Sequence, residues 1–80
     1  VPVRDSDLSR GIAERLANER RARGWSMERL AEEAGVHRTS IGLIERGRRS
    51  MTLELADRLA QSLGLRLSAL VEDVEQSRSR

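Results

Sequence analysis

Fifteen arginines and no lysine supply the basic charge of this 80-residue chain. Eight of them gather around one stretch, with Arg20, Arg21, Arg23 and Arg29 about its start and Arg38, Arg46, Arg48 and Arg49 in and after its second half. A guanidinium presents a planar fork of donors that grips a phosphate, or any rigid pair of acceptors, through paired hydrogen bonds. Hydroxyls stand among the arginines at Ser26, Thr39 and Ser40, and the two together are the donor set of a surface that holds a polyanion. Other chemistries lack their parts. With no cysteine and one histidine there is no thiolate or imidazole cluster for a metal. No nucleophile and base stand at a usable spacing, and the carboxylates fall on helix surfaces. The sequence therefore predicts no enzyme, no cofactor and no small-molecule ligand. Trp25 is the sole aromatic residue, too little material for stacking single-stranded bases, and is expected to pack between the first two helices.

The stretch from Met27 to Arg46 shows how such donors would be presented. Ala31, Gly35 and Ile41 occupy its fifth, ninth and fifteenth places, the spacing of a helix-turn-helix. Two helices that cross steeply over a short turn need a small residue at the closest approach and one that tolerates positive φ in the turn. Leu30, Ala34, Val36, Ile41 and Ile44 then point into the angle between the helices. The outer face of the second helix keeps Arg38, Thr39, Gly42 and Arg46, polar, cationic and free of acids, as a DNA major groove requires.

Around this motif the pattern is helical throughout. Asp5, Ser6 and Asp7 offer caps for a first helix carrying Leu8, Ile12, Ala13, Leu16 and Ala17 and stopping near Gly24. Ser26 caps the second helix, with Arg29 where a reciprocal capping box would need glutamate. The third runs from about Arg38 to Arg46. Thr52 caps a fourth, marked by Leu55, Ala56, Leu59, Ala60 and Leu63, and a fifth begins between Arg66 and Ser68.

The run from Gly24 to Leu65 resembles the Cro/repressor (Xre-like) family of helix-turn-helix regulators. The resemblance rests on Ser26, Leu30-Ala31, Gly35-Val36, Arg38-Thr39, Ile41, Ile44-Glu45-Arg46-Gly47 and Leu63-Gly64-Leu65. It implies an all-α, compact five-helix bundle with a central helix-turn-helix, the lambda-repressor-like DNA-binding domain. It also implies that Glu45, an acid amid a surface meant for DNA, pairs with Arg20 on the first helix and braces the reading helix.

Helix-turn-helix proteins set the leading end of the second motif helix against base edges. Arg38 is thus the candidate for a bidentate guanine contact, with a phosphate contact or a free surface charge as the alternatives, and Thr39 for a base edge or thymine methyl. Gly42 and Leu43 take the next base-facing places. Gly42 marks close approach to DNA or to a neighbouring helix, or simple tolerance; Leu43 meets a thymine methyl, is partly buried, or signals that few base pairs are read. Backbone contacts are assigned to Ser40, Arg46, Arg48 and Arg49 and to the start of the second helix at Ser26 and Met27, where methionine has replaced the family's frequent glutamine and leaves only main-chain amides as donors.

The length suits one domain over residues 1–80, with 1–6 a flexible arm and 76–80 a frayed tail. The longest apolar stretches span a few residues and no basic segment precedes an apolar core at the start, so the expectation is a cytoplasmic chain without membrane insertion. Net charge is only +2, so the cationic surface must be local. Leu67, Leu70, Val71 and Val74 on the fifth helix finish the core, meet a second copy, or do both, one side facing inward while the edge meets a partner. The expectation is a homodimer through the last helix and its preceding turn, reading two half-sites of an inverted repeat in double-stranded DNA. The competing reading is an antitoxin or adaptor whose main partner is another protein.

Overall fold

Apolar residues at helical spacing build five helices: α1 (Asp5–Ala22), α2 (Met27–Ala34), α3 (Arg38–Glu45), α4 (Leu53–Ser62) and α5 (Leu67–Arg78). They are described in a computed structural model covering the backbone of residues 5–78 and the side chains of residues 8–77. Residues 1–4 of the expected arm, residues 79 and 80 of the expected tail and the capping side chains of Asp5, Ser6 and Asp7 lie outside the described set. Gln76 and Ser77 continue α5.

The boundaries follow local chemistry. Ser26 Oγ accepts the Arg29 amide at 3.0 Å and Thr52 Oγ1 the Leu55 amide at 3.1 Å, each satisfying a first-turn donor that has no intrahelical partner. α2 ends at Gly35 with φ 71°, a left-handed conformation that a side chain would strain, and the amide of Val36 then reaches back to Ala31 O at 2.9 Å.

The core draws on every helix. Leu30, Ile41, Leu59 and Leu63 are its fully buried large side chains, each contributing roughly 1.5–3 kcal/mol on leaving water. Ile12, Ala13 and Leu16 of α1, Ala31 and Ala34 of α2, Ile44 of α3 and Ala60 of α4 close around them, with Trp25 and Val36 packed partly buried at the margin. α1 and α5 meet at a glycine: a Cβ on Gly11 would lie 2.6 Å from Val74 Cγ1. Leu70 and Val74 are buried in this core, which resolves half of the α5 expectation toward packing. Their surface is already used within one chain, so of the four residues considered for a second copy only Leu67 and Val71 remain half-buried. No described helix is long and apolar enough to cross a membrane.

Candidate nucleic-acid interface

α3 starts at an extended His37, which is exposed and makes no side-chain cap bond. Arg38 and Thr39 follow on the exposed leading end of the helix, while Ile41 and Ile44 point into the core. The inward residues fix how α3 is seated, and the outward ones are thereby held on a surface rather than in a flexible loop.

Arg38 is not solitary. Its Nε donates to Glu28 Oε2 on α2 at 3.1 Å, with both side chains more than half exposed. Glu28 sits in the first turn of α2, where its own backbone N–H holds the carboxyl below its ordinary pKa, helped by the Arg38 charge and hydrogen bond and by the Ser26 hydroxyl. The outer face of α3 itself carries no acid, but a carboxylate from α2 stands at its edge and engages the arginine expected to touch bases.

Gly42 is buried beneath the side chain of the residue that caps its helix. Arg46, one turn on, folds its guanidinium back so that a Cβ on Gly42 would sit 3.2 Å from Nη1. Leu43 is half-buried, matching the partial burial considered for it. Ser40 is also half-buried and its Oγ accepts from Arg49 Nη1 at 3.4 Å, which ties the following loop to α3. The Arg48 amide bonds Leu43 O at 2.9 Å, and the side chains of Arg46, Arg48 and Arg49 are all exposed. At the start of α2, Ser26 caps and Met27 packs partly buried against the core, so any contact there falls to main-chain amides.

Behind this surface Arg20 and Glu45 form a bidentate pair, Nε to Oε2 at 2.7 Å and Nη2 to Oε1 at 3.0 Å, with side-chain exposures of 9% and 7%. Arg20 Nη1 also donates to Trp25 O at 2.6 Å. One guanidinium therefore joins α1, the α1–α2 turn and the end of α3. The hydrogen bond that Arg20 donates to Glu45 raises the Arg20 pKa above its ordinary value despite desolvation. Arg21 Nη2 stands 3.8 Å from Glu45 Oε1, and Arg29 lies 4.4 Å over the Trp25 ring, a cation–π contact.

Two residues escaped the sequence reading. Glu28 is ten residues from Arg38, and only the crossing of α2 and α3 makes them neighbours. Arg10 of α1 is exposed beside the α3–α4 loop, where its Nη2 would be 3.1 Å from a Cβ on Gly47. Nothing local in the sequence marks that approach.

A family model described as helix-turn-helix matches residues 16–70. The chain is 37% identical over 65 residues to the control protein C.SmaI of Serratia marcescens, covering 81% of this chain and 77% of that protein. It is 35% identical over 65 residues to the HTH-type transcriptional regulator SutR of Escherichia coli K12, again across 81% of this chain, but it spans only 36% of that protein's length. In fold it is similar to the clp gene regulator ClgR of Corynebacterium glutamicum, with a TM-score of 0.79 at 23% identity over 98% of this chain and 79% of that one.

Proposed function

The chain belongs to the Cro/repressor-like (Xre-like) family of helix-turn-helix transcriptional regulators, and from that premise we propose that it binds double-stranded DNA sequence-specifically, as a homodimer on an inverted-repeat operator. The observation that carries this reading is the seating of α3: Ile41 and Ile44 buried, Arg38 and Thr39 exposed at its leading end, and Arg46, Arg48 and Arg49 exposed where it ends. Arg38 and Thr39 take base edges, Gly42 and Leu43 border the groove, and Ser26, Met27 (through main-chain amides), Ser40, Arg46, Arg48 and Arg49 hold the sugar-phosphate backbone and set the register. The Arg20–Glu45 pair braces α3. The 80 residues serve as one DNA-binding domain acting in the cytoplasm, without a catalytic step.

A two-fold partner would meet the outer edge of α5 at Leu67 and Val71, together with Leu53, which is 73% exposed at the start of α4 beside an apolar cleft lined by Met51 and Leu67. That same apolar edge favours the second reading, an antitoxin or adaptor bound to another protein. Selection of bound sites from random duplexes decides the matter, with sedimentation of the pure chain alongside. The expected result is an inverted repeat with half-sites about one helical turn apart, bound by a dimer, with Arg38→Ala erasing preference at one symmetric pair of positions. Failure to retain any duplex overturns the proposal, and a monomer that stays bound to a second protein favours the alternative.

A further inference from the structure

Ser9 and Arg10 of α1 face Gly47, Arg48, Arg49 and Ser50 of the α3–α4 loop across a cleft of about 140 Å³. Its lining contains three guanidinium groups and no carboxylate. Arg10 and Arg48 form no ion pair with a described residue, whereas Arg20, Arg21, Arg23, Arg29 and Arg38 all do. The third arginine, Arg49, bonds only the Ser40 hydroxyl, at 3.4 Å. Glu14 and Glu45 line an adjoining cleft that shares Arg10 and Gly47, but neither makes an ion pair with Arg10. Like charges gathered in a cleft without a carboxylate of its own repel one another, which a seated anion relieves.

The cleft is also built. Ser9 Oγ accepts the Met51 amide at 3.5 Å, which joins α1 to the far end of the loop. Gly47, at φ 73°, lets the loop turn and leaves room for the Arg10 guanidinium, whose Nη2 would be 3.1 Å from any Cβ there. A side chain at this position would be strained by the positive φ and would make the Arg10 guanidinium give by a few tenths of an ångström.

We propose that Arg10, with Arg48 and Arg49, forms a clamp for one phosphodiester of duplex DNA, so that α1 contributes to backbone binding from outside the helix-turn-helix. This rests on the DNA-binding reading above, since the loop continues directly from the exposed end of α3. The clamp adds affinity and register without reading bases. Duplex affinity is measured across a salt series for the wild type and for Arg10→Gln, Arg10→Lys and Arg58→Gln, the last a surface arginine on α4. Arg10→Gln is expected to weaken binding about 5–10-fold near 0.1 M salt, equally on all sequences, and to make the slope of log K against log salt shallower by about 0.9, the value for one phosphate contact. Arg10→Lys keeps the slope, and Arg58→Gln leaves it unchanged. If wild type binds duplex and Arg10→Gln keeps the full slope, the clamp is refuted while the regulator reading stands. If wild type binds no duplex, that reading falls first. Inorganic phosphate titrated into the DNA-free protein gives the remaining arm: a low-millimolar shift of the Gly47 amide resonance together with an unchanged duplex slope assigns the cleft to a free anion and overturns the proposal.

Discussion

Arg38, at the leading end of α3, and Glu28, in the first turn of α2, are joined at 3.1 Å across the turn of the motif. On the proposed DNA-binding reading, the arginine assigned to a base edge is therefore held by a carboxylate before DNA arrives. An exposed pair of this kind is weak, so it biases Arg38 without locking it. Glu28→Gln is expected to tighten operator binding about two- to five-fold in fluorescence anisotropy, and the gain should vanish in an Arg38→Ala background. Equal or weaker binding by Glu28→Gln would mean that the carboxylate aligns Arg38 for DNA instead of competing for it.

The same carboxyl has a predictable titration. Its own amide, then Arg38, favour the charged form, so the folded pKa lies below the ordinary 4.5. A group depressed in this way stabilises the fold fully above its unfolded pKa, and the contribution is lost as pH falls through the folded value. Carbon NMR of the Glu28 side chain should give a midpoint below 4.5. In Arg38→Ala the midpoint should move upward but stay depressed, because the amide remains.

How much of this was legible in the sequence depends on whether a contact is local. The caps at Ser26 and Thr52 and the turn at Gly35 are set by neighbours within four residues, and the helices begin and end where those residues place them. The Arg20–Glu45 pair spans 25 residues, yet family resemblance supplied it. Glu28 against Arg38 and Arg10 against Gly47 depend on how helices cross, a property of summed core packing that no short pattern encodes. The α5 residues were ambiguous because a core stripe and an interface stripe have the same period. Burial assigns Leu70 and Val74 to the core, while Leu67 and Val71 are half-buried.

Glu45 and Arg20 are almost fully withdrawn from water, with side-chain exposures of 7% and 9%. Removing one member strands the other, a loss of about 3–5 kcal/mol for buried pairs. Glu45→Gln keeps the shape and one hydrogen bond, so the lower figure applies, and the thermal midpoint should drop by roughly 12–24 °C for a domain of this size. Calorimetry checks this. The double variant Arg20→Met/Glu45→Leu should recover part of the loss, though not all, since Trp25 O loses its donor. A Glu45→Gln midpoint within 3 °C or so of wild type would show that the brace is dispensable.

Gly11 is where α1 and α5 come closest, and two opposing effects meet there. Alanine in a helix interior is favoured over glycine by about 1 kcal/mol, but its Cβ would lie 2.6 Å from Val74 Cγ1. Valine is stiff at χ1 and Val74 is buried, so the clash can be relieved only by moving α5, at about 1–3 kcal/mol. The steric term wins, and Gly11→Ala should be destabilised by up to about 2 kcal/mol in urea unfolding. Val74→Ala alone opens a cavity and is also destabilised. Together, however, the new methyl fills space that the valine vacates, so the double variant should be more stable than the sum of the single losses predicts. Simple additivity would show that α5 shifts freely, and that this glycine is not what sets its distance from α1.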